Sequence, residues 1–162
     1  MNPVPHTAND FPVLLPGDIL LYGDRSLLSW AIRTRTWADV SHVEVYVEDG
    51  RSIASRSEGV AVYPLRILGL RRVIRPVAPF DLAKGMEWFK TVDGTHYGWL
   101  DMFRFYGIDV PTKGLICSQL VDLFFQNCGL ALFNLDYPEG AVTPRDYELL
   151  SPLLATEIWS WK

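Results

Sequence analysis

From Pro16 onward the chain alternates short apolar runs with polar punctuation, and the spacing of those runs predicts a mixed α+β domain. "PGDILLYG" opens on a turn signal and continues as an apolar strand over residues 17–22. "DRSLLSWAIRTRT" offers Asp24 or Ser26 as N-cap and places Leu27, Leu28, Trp30 and Ala31 at helical spacing. Its basic end suits the negative pole of a helix. In "SHVEVYVEDG" Val43, Val45 and Val47 alternate with His42, Glu44 and Tyr46. A strand there has one apolar face and one face that carries reactive groups. Asp49-Gly50 is a hairpin signal, "RSIASRS" returns, "GVAVYPL" adds a strand and "RRVIRPV" another.

The second half reads as mostly helical. "DLAKGMEWFKTV" has helical spacing, and the aromatic "GTHYGWLDMFRFYG" suggests a further short helix. In "CSQLVDLFFQNCGL" the residues Leu120, Val121, Phe124, Phe125 and Cys128 form one apolar stripe, with Gly129 as the stop signal. "TPRDYELL" is a capped turn of helix. Trp159 and Trp161 alternate in a terminal strand and are expected to cover a core edge, with an oligomer interface as the alternative. Residues 1–12, with Pro3, Pro5 and Pro12, read as a loose arm, and residues 13–162 as a single domain.

At 162 residues and 49% hydrophobic composition, one globular domain is the expected size class. The net charge of −4 argues against nucleic acid or an anionic membrane as the bulk electrostatic partner. No phosphate-binding glycine loop, CxxC or HExxH occurs, so neither a cofactor nor a metal is expected. The start has no basic and long apolar leader, and no apolar run approaches the roughly 20 residues of a membrane span. The expected location is therefore the cytoplasm.

There are two cysteines, Cys117 and Cys128. On one helix they would stand about 16 Å apart along the axis, beyond the roughly 7 Å a disulfide allows. Cys128 belongs to the apolar stripe. Cys117 falls in the first turn, where free backbone N–H groups and the helix dipole favour a thiolate. It is either a small buried hydrophobe or a nucleophile. If it is a nucleophile it needs a base. Of the three histidines, His6 lies in the arm, His96 lies in the aromatic stretch, and His42 on its strand is the best placed.

Taken in order, "PGDILLY", "SHVEVYVEDG", "GVAVYPL" and "ICSQLV" resemble the circularly permuted branch of the NlpC/P60 papain-like cysteine hydrolases. That branch includes the YiiX/YebB-like proteins and, more distantly, enzymes like lecithin:retinol acyltransferase. The resemblance runs from about Pro16 to Tyr147. It implies a permuted papain-like fold, an antiparallel sheet or partial barrel packed against helices, with the nucleophile at a helix N-terminus. It implies Cys117 as nucleophile and His42 as general base in a cysteine peptidase or amidase.

Its expected substrates are peptidoglycan stem peptides or related γ-glutamyl peptides, and a bacteriophage source that delivers the enzyme to a host envelope would suit it. The alternatives are hydrolysis or transfer of a lipid acyl group, or an inactive binding module. Relatives often carry a third polar residue twelve positions after the histidine, where this chain has Ala54, and Gly two positions after it, where this chain has Glu44. Glu44 shares the His42 face. The third member is then Glu44, Ser55 or Glu58, or is lacking.

Overall fold

The computed structural model describes residues 11–23, 39–97, 115–133, 142–150 and 152–160. The helix expected at 24–36, Trp99 with most of the aromatic stretch, and Trp161 lie outside them, as do residues 1–10 of the arm. Six strands and three helices follow in order: β1 Ile19–Tyr22, β2 His42–Glu48, β3 Arg51–Arg56, β4 Gly59–Pro64, β5 Leu70–Pro76, α1 Leu82–Val92, α2 Cys117–Asn127, α3 Pro144–Glu148 and β6 Ala155–Ser160.

The strands form one sheet in the order β4-β3-β2-β1-β5-β6, with each adjacent pair antiparallel. β1 is central and all four of its residues are buried, which is why "ILLY" reads as a continuous apolar run rather than an alternating one. The face built by Ile19, Leu21, Val43, Val45, Ile53 and Ile74 packs against Phe89 of α1 and against Leu120, Val121, Phe124 and Phe125 of α2. The stripe expected for α2 is therefore its core face. The opposite face gathers Leu20, Tyr22, Val73 and Trp159, with Phe11 and Leu14 packed on it. Phe11 meets the Trp159 ring edge-on, with centroids 5.4 Å apart.

Asp18, of the "PGDIL" stretch, acts as a structural tie. Its buried carboxylate accepts from Arg75 Nε at 2.7 Å, from Arg75 Nη2 at 2.8 Å and from the Leu15 N–H at 2.8 Å. It thus joins the start of β1 to β5 and to the segment before it. Gly85 lets α1 lie close to α2. A Cβ there would collide with Cys128 Sγ and come within 2.9 Å of the Phe124 ring.

The β2–β3 hairpin resolves which residues face one another. Glu48 pairs with Arg51 around Asp49-Gly50, so the turn itself is a two-residue loop. A register shift between Tyr46 and Glu48 then brings Tyr46 opposite Ser52 and Val45 opposite Ile53. That register points Glu44 towards Ala54, the pairing expected of a three-residue loop, because the bulge supplies the extra residue.

Candidate active site

The site forms where β2 and β3 stop serving each other and begin to serve the entry to α2. The ladder between them runs from the hairpin to Val45↔Ile53. Past that rung, the Ser55 hydroxyl donates to the Leu115 carbonyl at 2.5 Å, and the Val43 N–H donates to the sulfur of Cys117. The start of α2 is thus held by both strands.

Cys117 is the first residue of α2 and is 4% exposed. The Gln119 side chain caps the turn by accepting from the Ile116 N–H at 3.2 Å. The Tyr147 hydroxyl of α3 donates to the Ser118 carbonyl at 2.8 Å. Ser118 lies inside the helix, with Ile116 at the N-cap.

His42, first residue of β2, brings its ring to the cysteine. Its Nε2 lies 3.0 Å from Glu44 Oε1, and the ring also hydrogen-bonds Cys117. Burial pulls the imidazole towards neutrality. The charge and hydrogen bond of Cys117, then those of Glu44, outweigh it and hold the ring at a pKa of about 9. Burial likewise pushes the Cys117 thiol up. The charge and hydrogen bond of His42, with the N–H groups of Val43 and Ser118, outweigh it and lower the thiol below its ordinary value. The thiol is moved down and the imidazole up, and both shifts favour the charged pair of thiolate and imidazolium.

Glu44 has no exposed surface. Besides His42 it accepts from Ser52 Oγ at 2.5 Å and from Arg56 Nε and Nη2 at 2.9 and 3.0 Å. Burial raises a carboxyl, but here His42, then Ser52 and Arg56, hold it at about 2. Hydropathy patterning placed Glu44 on the face of His42; the involvement of Ser52 went unread, because a lone serine on a strand carries no signal.

Ser55 and Glu58, the other candidates for the third position, bond elsewhere. Ser55 spends its hydroxyl on Leu115. Glu58, in the turn after β3, accepts from Ser57 at 2.8 Å. Tyr22 approaches the His42 ring, with centroids 6.0 Å apart, but its hydroxyl donates to the Arg66 carbonyl at 3.0 Å. Tyr97 bridges to Leu115, and burial followed by the nearby Cys117 charge raises its phenol. Cys128 closes the far end of α2; both cysteines are free, and burial pushes the Cys128 thiol up to about 11.

No family model matches the chain, and no curated protein does. Among solved structures it is similar to the crystal structure of metalloprotein yiiX from Escherichia coli O157:H7, described as DUF1105. The TM-score is 0.68 at 20% identity, over 91% of this chain and 98% of that one. A likeness so nearly complete in length and so low in identity is a likeness of fold. The chain thus has a yiiX-like mixed α+β fold, a six-stranded antiparallel sheet with three helices among its described residues.

Proposed function

We propose that this protein is a papain-like cysteine hydrolase in which Cys117 is the nucleophile, His42 the general base and acid, and Glu44 the third member of the site. The observation that carries this reading is the contact chain: a thiol at a helix N-terminus, hydrogen-bonded to an imidazole whose Nε2 lies 3.0 Å from a buried carboxylate.

The resting pair supplies the nucleophile without a further proton transfer. The Cys117 thiolate attacks a carbonyl carbon, and the electron pair moves to the carbonyl oxygen. N–H groups at the start of α2 stabilise that oxyanion. Collapse of the intermediate expels the amine or alcohol, which takes the proton from His42. His42 then removes a proton from water. The hydroxide attacks the acyl-enzyme, and the acid leaves as Cys117 recovers its electron pair and His42 holds the proton again. Glu44 keeps the ring oriented and stabilises its charge throughout.

The substrate class rests on the family resemblance. Amide or isopeptide bonds of peptidoglycan stem peptides, or related γ-glutamyl bonds, come first, with the phage-delivered setting that suits them. Lipid acyl esters or amides come second. Ala54, which favoured a binding module, is offset by Glu44, whose carboxylate bonds Ser52 and Arg56, the residues two before and two after that position on β3. The yiiX protein is described as a metalloprotein. The His42 and Glu44 donors of this chain do not suit a cation, because the Glu44 carboxylate already holds the Arg56 fork and has Arg66 Nη2 at 4.0 Å. No cluster of three His, Cys, Asp or Glu that could hold a metal ion occurs among the described residues. No helix among them is long and apolar enough to cross a membrane.

The test is hydrolysis of a panel of stem-peptide and γ-glutamyl amides beside acyl esters, by wild type and by Cys117→Ser. Turnover of one class by wild type alone supports the reading and names the bond. Equal turnover by both proteins refutes it.

A further inference from the structure

A carboxylate with no exposed surface persists only if its oxygens are fully partnered, and the partners of Glu44 are unequal. His42 and Ser52 each make one contact. Arg56 makes two, to both oxygens, from the neighbouring strand. Its guanidinium also sits over the Tyr63 ring, 4.3 Å from the centroid, and its side chain is 16% exposed. It is therefore fixed on two sides.

This clamp answers a problem set by the strand. Glu44 and His42 are two residues apart on β2, so their side chains project side by side. To reach the ring, the glutamate must fold along the strand. A planar fork from β3 fixes both the position and the plane of the carboxylate, which a point charge cannot do.

We propose that Arg56 is a positioning residue: its bidentate contact orients Glu44 and keeps it ionised, so that His42 is held as the charged partner of Cys117. This rests on reading Cys117 and His42 as the reacting pair. The charged and titratable groups around Glu44 are His42 on its own strand, Tyr22 on β1, Arg56 on β3, Tyr63 on β4 and Arg66 on the loop after β4, with Glu58 exposed beyond the arginines. Arg66 lies 4.0 Å from Oε1, outside hydrogen-bond reach, and its guanidinium sits 5.1 Å from the Tyr22 centroid. It adds charge but not orientation.

Loss of Arg56 has two opposed effects, and their sign separates orientation from mere charge. Deleting a cation near His42 favours the imidazolium and moves the acid limb of thiolate formation down. Freeing Glu44 to turn away or take up a proton removes the support of the imidazolium and moves that limb up. The proposal requires the second effect to win.

The experiment measures the rate of Cys117 alkylation by iodoacetamide against pH on the full chain, with circular dichroism confirming the fold. Arg56→Gln is expected to move the acid limb up by at least about one pH unit. Arg56→Lys keeps a charge, tests the fork alone and serves if Arg56→Gln does not fold. It is expected to move the limb in the same direction by less. In a Glu44→Gln background, Arg56→Gln is expected to have no further effect. A wild-type limb well below 8.5 that stays put or falls in both Arg56 variants overturns the role of Arg56 and leaves the hydrolase reading standing. A wild-type limb near 8.5 overturns the hydrolase reading, and the role of Arg56 with it.

Discussion

His42 Nε2 and Glu44 Oε1 lie 3.0 Å apart although the two residues are neighbours on one face of a single strand. In the proposed hydrolase the third member comes from the strand of the histidine itself, and Ala54 on the next strand is left free to be small. The arrangement has consequences for reactivity and for stability.

Cys117 should react far faster than Cys128. The first thiol is lowered by His42 and two backbone N–H groups, and the second is pushed by burial to about 11. At pH 7 with limiting iodoacetamide, peptide mapping should find Cys117 modified at least about 10²-fold faster. Comparable rates at the two sites would contradict the lowered thiol.

Replacement of the base should be costly and specific. His42→Ala should lower turnover on the order of 10²–10⁴-fold with the circular dichroism spectrum unchanged. Cys128→Ala should keep its rate while losing roughly 1–2 kcal/mol of stability. An active His42→Ala variant would require another base.

Acid should destabilise the fold through Glu44. Its carboxyl is held at about 2 against an ordinary 4.5, so in that window the unfolded chain binds the extra proton. The contribution is complete above 4.5 and is lost as pH falls through 2. The gap corresponds to on the order of 3 kcal/mol. Urea midpoints should therefore fall more steeply from pH 5 to pH 2 in wild type than in Glu44→Gln, and parallel slopes would disprove the linkage.

The carboxylate should be transferable across the hairpin. The Val45↔Ile53 register points Glu44 towards Ala54, which is buried between Ser52 and Arg56 on its own strand. Glu44→Gly alone should lose the fast phase of Cys117 alkylation, and adding Ala54→Glu should restore part of it. Failure of the double variant, with the fold intact, would show that the site demands the carboxylate on β2.

Packing of the two long helices should be separable from the chemistry. Gly85→Ala places a methyl group against Cys128 and Phe124, and overpacking of this kind costs roughly 1–3 kcal/mol. The melting temperature should drop while the pH profile of Cys117 alkylation stays as in wild type. A shifted profile would mean that α1 helps position the start of α2.

What the sequence determined by itself was periodicity and its immediate corollaries. Alternation over His42–Val47 assigned a strand and put Glu44 on the face of His42. The stripe from Leu120 to Cys128 assigned a helix and put Cys117 in its first turn. These are local properties, fixed by the repeat of a strand or helix within a few residues. The tertiary structure alone decided what the polar face does. Asp49-Gly50 announced a hairpin but not the bulge between Tyr46 and Glu48, and one extra residue changes every cross-strand neighbour. From that register come the bonds of Ser52 and Arg56 to Glu44, while Ser55, one residue over on the opposite face, goes to Leu115. Whether a carboxylate is a solvated strand charge or a buried, ionised partner depends on groups far away in the chain, and desolvation and pairing are properties of the assembled site.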